Sequence, residues 1–404
     1  MAVSTVRHLS RRNFFRVAAG ASALAGCAMS ESLLAHAQST STVPKFARSD
    51  QGIHLDANEN PLGPAEAARQ ALAKIVEHSG RYLFDQQQDL VGLFAQQEGI
   101  PASHVAMYAG SSTPLHLTVL SATHTQAPVV VADPGYEAPL WAARVTGSAG
   151  IKVPLADPKG AASHDVKAML AAAAAPGVLY VCNPNNPTGT VTPHEEIVYL
   201  IEHAPKSTVV IVDEAYIHLS SSAKSCIDLV PAHANLVVLR TFSKLYGMAG
   251  LRLGVIAAQP VLLAKVESLA GLDSVPVTAM AAGKASLLDA SLVPTRRKMI
   301  ADLRNETLTW LHAQGYATTP AESNCFMVDM GRPAGPMRQA LAEHAIYVGR
   351  EWKAWPNHMR VTVGTATEMA AFRKAFAEIA AQPTAGLLPA PIVATGQHAA
   401  RFFS

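Results

Sequence analysis

The sequence has little charge, few cysteines and no long apolar run. Charged residues make up 15% of its 404 residues and hydrophobic residues 49%, which excludes a disordered chain or a coiled coil. The four cysteines show no C-x-x-C spacing, so neither a zinc site nor a disulfide framework is indicated. No apolar run reaches the roughly 20 residues of a membrane-spanning helix, so no transmembrane span is predicted.

Several common binding motifs are also missing. There is no P-loop and no Gly-x-Gly-x-x-Gly after a predicted strand, which argues against nucleotide binding. None of the 16 histidines falls in an H-x-x-x-H or H-E-x-x-H arrangement, so no metal site is predicted. The formal net charge is only +2, and the first 37 residues account for this surplus, which argues against a nucleic-acid partner.

The N-terminus has the features of an export signal. Residues 10–16 read Ser-Arg-Arg-Asn-Phe-Phe-Arg, a weakly apolar stretch follows over 17–26, and Ala35-His36-Ala37 offers a cleavage site. This resembles a twin-arginine signal peptide over residues 1–37. It implies the twin-arginine translocase as a partner during export and a periplasmic or secreted bacterial location. Two alternatives stay open: a basic surface helix, and a lipid anchor at Cys27, because residues 24–27 resemble a lipobox.

The pattern of the remaining chain predicts an α/β fold. Short β-branched runs alternate with Ala- and Leu-rich helical stretches, which is typical of a mostly parallel sheet covered by helices. The predicted strands are 105–108, 128–132, 151–153, 178–182, 208–212, 236–239 and 254–257. A smaller α+β region is predicted to follow, with helices around 294–312 and 368–381 and strands at 325–329 and 359–363.

These patterns divide the mature chain into domains. We expect an N-terminal arm and the start of a small domain over 38–80, and a large domain over 81–268. The small domain continues over 269–382, and a loosely ordered tail follows over 383–404.

Polar residues follow several of the predicted strands. Asn183-Pro-Asn-Asn-Pro-Thr-Gly189 follows one, Asp213-Glu-Ala-Tyr216 the next, and Arg240-Thr-Phe-Ser-Lys244 a third. An earlier strand leads into Gly110-Ser-Ser-Thr113, where a helix is predicted to begin. Because ligands bind at the carboxyl ends of parallel strands, we expect these segments to form one site.

Together these residue types suit an aromatic phosphate that is activated by a lysine. A Gly-Ser-Ser turn that opens a helix presents donors to an anion. Asp213 at a buried strand end requires a cation, which a protonated ring nitrogen would supply. Lys244, once burial lowers its pKa, can form a Schiff base. Tyr216 and Asn186 can hydrogen-bond a phenolic oxygen.

In this order and spacing, the segments resemble a known family. Over residues 53–380 the chain is similar to the class I/II aminotransferases of fold type I, which use pyridoxal 5′-phosphate, and within them most to the histidinol-phosphate aminotransferases. Asn58-Glu-Asn-Pro-Leu-Gly63 and Met359-Arg-Val-Thr-Val-Gly364 also match. The resemblance implies a large domain with a mostly parallel seven-stranded sheet, a smaller α+β domain and a homodimer.

The resemblance also implies roles for individual residues. Lys244 would bond the cofactor and move the proton, Asp213 would pair with the pyridinium nitrogen, and Tyr136 would stack on the ring. Tyr216 and Asn186 would bind the phenolic oxygen. The phosphate would be surrounded by Ser111, Ser112, Thr241, Ser243 and Arg252, with Tyr82 contributed by the partner subunit.

Substrate binding is implied for three further residues. Arg360 would clamp the α-carboxylate, Asn60 lies in the loop that closes over the substrate, and Arg350 lies where those enzymes bind a substrate phosphate. Arg350 is displaced by one residue from the usual arginine, and Trp352 and Trp355 nearby suit an aromatic side chain.

Two other positions depart from the histidinol-phosphate enzymes. Thr113 replaces an acidic residue that usually follows the Gly-Ser-Ser turn, and Leu83 replaces a usual proline. The sequence therefore predicts an aminotransferase that moves an amino group between an amino acid, or a histidinol-phosphate-like amine, and a 2-oxo acid. The alternatives are an exported aromatic amino-acid aminotransferase, a decarboxylase or lyase with the same cofactor, and a binding protein without turnover.

Overall fold

The computed structural model describes residues 51–270 and 274–381. The predicted signal peptide, the possible anchor at Cys27, most of the N-terminal arm and the tail lie outside these ranges. Within them, no helix combines the length and apolar character that a membrane span requires.

The order of helices and strands follows the predicted alternation. The helices are α1 Glu66–Ile75, α2 Phe84–Glu98, α3 Ser112–Ala122, α4 Ala138–Val145, α5 Val166–Ala171, α6 His194–His203, α7 Pro260–Glu267, α8 Val277–Leu288, α9 Leu292–Ala313, α10 Gly335–Glu343 and α11 Ala366–Ala380. The strands are β1 Ile53–Leu55, β2 Val105–Tyr108, β3 Val129–Asp133, β4 Gly150–Pro154, β5 Val178–Cys182, β6 Val209–Asp213, β7 Leu236–Thr241, β8 Gly254–Ala258, β9 Ala317–Thr318, β10 Cys325–Asp329, β11 Ile346–Val348 and β12 His358–Thr362.

A seven-stranded sheet forms the core, in the order β2-β8-β7-β6-β5-β3-β4. β8 is antiparallel to both of its neighbours, while the pairs from β7 to β4 are parallel. Strands β5 to β8 consist entirely of buried residues, as expected where helices cover both faces. The predicted mostly parallel sheet is confirmed, and each of its seven strands was predicted to within two residues at either end.

Two smaller sheets lie outside this core. Strands β12, β10 and β9 form an antiparallel sheet, and β1 pairs in parallel with β11. The pairing of β1 with β11 joins residue 53 to residue 346, so the start of the described chain packs against its last third. This brings the Asn58–Asn60 segment close to β12. The domain boundaries at 80/81 and 268/269 stay predictions.

Candidate active site

The carboxyl ends of β5, β6 and β7 place the predicted site residues along one edge of the sheet. Asp213 is the last residue of β6 and pairs in register with Cys182 at the end of β5. Lys244 follows three residues after the end of β7. Asn183–Gly189 continues from β5 through two cis prolines, Pro184 and Pro187.

The Asp213 carboxylate lies in a buried position that favours a cationic partner. Tyr180 Oη donates to its Oδ2 at 2.8 Å and the Ala215 N–H donates to its Oδ1 at 3.1 Å. Burial outweighs these hydrogen bonds and raises the pKa of Asp213 from 3.8 to about 6. A cation beside this carboxylate would reverse that balance and keep it ionised.

The Lys244 amine points at the loop that follows β1. Its Nζ donates to the carbonyl oxygens of Asn58 at 3.0 Å and Ala57 at 3.4 Å. Burial, and after it the positive charge of Arg360, lower the pKa of Lys244 from 10.5 to about 8. The neutral, nucleophilic form is therefore far more accessible than for a surface lysine.

The predicted phosphate residues come together around the start of α3. The guanidinium of Arg252 lies against Gly110, where a Cβ would come within 2.0 Å of its Nη2. Gly254 pairs with Thr241, and a Cβ on Gly254 would meet the Ser111 backbone nitrogen at 2.1 Å. Glycine at both positions therefore allows the turn, the strand end and the arginine to approach closely.

Hydroxyl groups complete this anion site. Thr241 Oγ1 donates to Ser243 Oγ at 3.0 Å, and the Ser243 N–H donates back to Thr241 Oγ1 at 3.1 Å. Ser111 is the residue before the first turn of α3, and Ser112 begins it. Helix N–H groups, hydroxyls and a guanidinium in one place are a donor set suited to a phosphate.

Tyr136 is influenced by groups of this anion site and by Asp213. Its pKa is raised, first by burial and then by the Asp213 carboxylate, whereas a hydrogen bond with Ser112 and the charge of Arg252 act in the opposite direction. The ring is partly buried against the core. Its position is consistent with the stacking role implied by the resemblance.

Arg360 and Asn186 form the far side of the site. Arg360 Nη1 donates to Asn186 Oδ1 at 2.8 Å, and Nη2 donates to the Asp56 carbonyl oxygen. The buried Nε of Arg360 has no hydrogen-bond partner in the described structure. A buried guanidinium with a remaining donor can bind a carboxylate.

Arg350 lies next to Arg360 but is already engaged by the protein. Its Nη2 donates to Glu137 Oε2, its Nη1 donates to the Glu351 carbonyl oxygen at 3.0 Å, and its guanidinium stacks 4.2 Å from the Trp352 ring centroid. Arg360 stacks on the same indole at 5.2 Å. Trp352 is buried, and its Nε1 donates to the Gly135 carbonyl oxygen at 3.4 Å.

Two predicted residues have different settings. Asn60 is buried, and its Nδ2 donates to the carbonyl oxygen of Leu245, the residue after Lys244, at 2.9 Å. Tyr82 is 69% exposed and stacks on Phe84 with 5.3 Å between ring centroids. Within the described part of the chain, the structure does not bring Tyr82 together with the other predicted site residues.

Two further residues of the site, Tyr180 and Asn58, carry no functional signal of their own in the sequence. Tyr180 holds the Asp213 carboxylate but looks in sequence like any buried strand residue. Asn58 hydrogen-bonds Tyr216, Lys244 and Thr362. The only sequence signal for it was its place beside Asn60 in the matching segment.

The aminotransferase class I and II family model matches residues 50–376. The chain belongs to this family. This aminotransferase is 35% identical over 323 residues to the histidinol-phosphate aminotransferase of Symbiobacterium thermophilum, covering 78% of this chain and 86% of the relative. It is 31% identical to the aromatic amino acid aminotransferase of Rhodococcus jostii, with 79% and 88% covered.

A solved structure supports the same assignment for this aminotransferase. The histidinol-phosphate aminotransferase from Sinorhizobium meliloti, in complex with pyridoxal-5′-phosphate, superposes with a TM-score of 0.74 at 26% identity, covering 81% of this chain and 90% of the other. The predicted fold and enzyme class are confirmed. Pyridoxal 5′-phosphate is the cofactor, and the reaction is transamination.

The residues of the site fit this cofactor. The Gly110 turn and Arg252 offer an anion site, the buried Asp213 carboxylate favours a cationic partner, and Lys244 has a lowered pKa. When bound, the cofactor would supply an electron-withdrawing ring and an aldehyde carbon that takes up the amino group of one substrate and passes it to the next. Lys244, whose amine has a lowered pKa, would accept and return a proton there.

Proposed function

We propose that this aminotransferase acts on amino acids with an aromatic side chain, in preference to phosphate-bearing amines. We assign the cofactor-binding roles that the resemblance implies to the residues of this site, namely Lys244, Asp213, Tyr216, Asn186, Tyr136 and the residues of the anion site. Arg360 binds the substrate α-carboxylate, because its guanidinium is buried and its Nε is still available.

The pairing of Arg350 with Glu137 carries this preference. A substrate phosphate at Arg350 would have to displace the Glu137 carboxylate or lie beside it. In the second case the negative phosphate and the negative carboxylate would repel each other. Lys152 Nζ lies 3.6 Å from Glu137 Oε1 and 3.4 Å from Asp133 Oδ1, so its charge is shared between two carboxylates. The buried indole of Trp352 meanwhile lies beside both Arg350 and Arg360, so an aromatic ring stands next to the arginine that binds the carboxylate.

A half-reaction screen tests the substrate. The holoenzyme is mixed with one amine at a time, without a 2-oxo acid, and conversion of the cofactor to its amino form is followed by absorbance. We expect phenylalanine and tyrosine to react at least tenfold faster than histidinol phosphate, a difference of about 1.4 kcal/mol in transition-state binding. Faster reaction with histidinol phosphate would contradict the proposal.

A charge substitution tests the reason for this preference. Glu137→Gln removes the negative charge beside Arg350. The half-reaction with histidinol phosphate should therefore become faster, while the rate with phenylalanine should change little. Glu351→Gln is the matched control, because Glu351 accepts from Arg338 at 3.1 Å and its removal leaves Arg350 paired with Glu137. An equal increase in the rate with histidinol phosphate in both variants would show that the number of negative charges near the site, and not the Arg350–Glu137 pair, decides specificity.

We also propose that the enzyme is exported by the twin-arginine route and acts as a homodimer. The Arg11-Arg12 pair supports export, and exposed Tyr82 supports a partner subunit that covers it. Replacing both arginines with lysine should retain the full-length protein in the cytoplasm of a bacterial host. Mature enzyme still appearing in the periplasm would exclude this route, and radiolabelled fatty acid on the mature protein would favour an anchor at Cys27.

A further inference from the structure

Asn58 is a buried polar residue in the loop after β1 and makes an unusual number of contacts in the site. It is only 1% exposed, and its φ of 52° lies in the left-handed region, which asparagine adopts more readily than most residues. Its Nδ2 donates to Tyr216 Oη at 3.0 Å and to Cys325 Sγ at 3.1 Å. Its Oδ1 accepts from Thr362 Oγ1 at 3.0 Å.

Thr362 fixes which end of the Asn58 amide faces Tyr216. Thr362 Oγ1 accepts a hydrogen bond from the Asn58 backbone N–H at 2.9 Å and donates one to Asn58 Oδ1. The amide nitrogen is thereby turned toward Tyr216. Because an amide nitrogen only donates, the Tyr216 oxygen must accept this bond, and its own hydrogen is left for another acceptor.

We propose that Asn58 is a positioning residue that makes the Tyr216 hydroxyl donate its hydrogen to the phenolic oxygen of the cofactor. This inference rests on the role proposed for Tyr216. In the absence of Asn58, the hydroxyl can rotate and accept as readily as donate, so its hydrogen bond to the cofactor is weakened. No charge is involved, since both side chains are neutral.

The backbone of the same residue contacts the reacting lysine. The Asn58 carbonyl oxygen accepts from Lys244 Nζ at 3.0 Å and from Asn324 Nδ2 at 3.1 Å. Thr362 lies two residues after Arg360 on β12. Asn58 therefore connects Lys244, Tyr216 and the strand that carries the carboxylate-binding arginine.

The test uses the pH dependence of the visible absorbance of the bound cofactor. Donation to the phenolic oxygen stabilises its anionic form, so Tyr216→Phe should raise the pH midpoint of the absorbance change. Asn58→Leu should shift the midpoint in the same direction by a smaller amount. In the double variant, the midpoint should equal that of Tyr216→Phe alone, because Asn58 acts through Tyr216.

The outcomes separate this inference from the proposed function. If Asn58→Leu gives the same shift in the Tyr216→Phe variant as in the wild type, or no shift beside a clear effect of Tyr216→Phe, Asn58 does not orient the hydroxyl. If Tyr216→Phe itself has no effect, the role proposed for Tyr216 is wrong and this inference fails with it. The groups that also face Tyr216, namely Lys244, Arg360, Cys182 and Cys325, are unchanged in all these variants.

A second pair of variants covers the case in which Asn58→Leu does not fold. Thr362→Val removes the hydroxyl that holds Asn58 Oδ1, so it should reproduce part of the midpoint shift. Thr362→Ser keeps this hydroxyl and should restore the wild-type midpoint. Equal midpoints in the Val and Ser variants would overturn the inference, because the hydroxyl said to orient the Asn58 amide would then have no effect on the cofactor.

Discussion

At the scale of the residue, Asp213 is expected to oppose folding of the cofactor-free protein and to favour binding of the cofactor. Its pKa of about 6, against an ordinary 3.8, means that the folded state holds the proton more tightly than the unfolded state. Stability is therefore lost as the pH rises from about 4 through 6, by about 3 kcal/mol in total.

Asp213→Asn should therefore stabilise the cofactor-free protein at pH 8 by up to about 3 kcal/mol, with little effect at pH 4. Urea unfolding of both proteins at the two pH values measures this. The same variant should weaken cofactor binding, since a neutral amide cannot pair with a pyridinium. Asp302→Asn, on the exposed face of α9, is the control, and a loss of stability in cofactor-free Asp213→Asn at pH 8 would contradict the argument.

At the scale of the element, the turn from β2 into α3 depends on a missing side chain. Gly110 has a φ of 90°, and a Cβ there would meet the Arg252 guanidinium. Gly110→Ala should therefore displace Arg252 and weaken cofactor binding at least tenfold, measured by fluorescence titration of the cofactor-free protein. Gly250→Ala is the matched control in the same region, because nothing lies within 4 Å of a Cβ there and its φ is ordinary. Equal affinities in the two variants would show that the turn does not need glycine.

A buried ion pair joins the ends of β6 and β7 just behind the site. Arg240 Nε donates to Glu214 Oε2 at 2.6 Å, and both side chains are almost fully buried. Arg240→Met leaves the Glu214 carboxylate buried without its main partner, which should cost about 3–5 kcal/mol of unfolding free energy. Lys298→Met removes an exposed i,i+4 pair with Asp302 and should cost less than about 1 kcal/mol. Similar losses in urea unfolding would mean that the buried pair contributes no more than a surface pair.

At the scale of the whole molecule, the proposed dimer makes each active site depend on two chains. If Tyr82 reaches the partner's phosphate site, Tyr82→Ala and Lys244→Ala damage different halves of one shared site. Mixing the two inactive or impaired variants should then restore up to about a quarter of wild-type activity, because half of randomly formed dimers carry one intact site. No gain over the separate variants, in a mixture shown to exchange subunits, would place Tyr82 outside the partner's site.

The local sequence determined most of the fold and much of the site. Continuous β-branched runs such as Val209–Val212 are typical of strands buried on both faces, and the polar ends of parallel neighbours meet at one edge of the sheet. The positions of Asp213 and Lys244 follow from that rule. Arg252 precedes the antiparallel strand β8 and was identified only through the resemblance. The periodic pattern likewise placed the long helices α9 and α11 to within two residues.

The tertiary structure alone decided the contacts between segments that are distant in the chain. Asn58 lies 304 residues before Thr362 and 158 before Tyr216, and their hydrogen bonds exist only because β1 pairs with β11 and so places the following loop beside β12. The pairing of Arg350 with Glu137 spans 213 residues and changes a phosphate-binding candidate into a neutralised one. A pattern along the chain indicates which side chains share one face of a helix or strand. Which charges and hydrogen-bonding groups meet depends on how separate helices, strands and loops pack together.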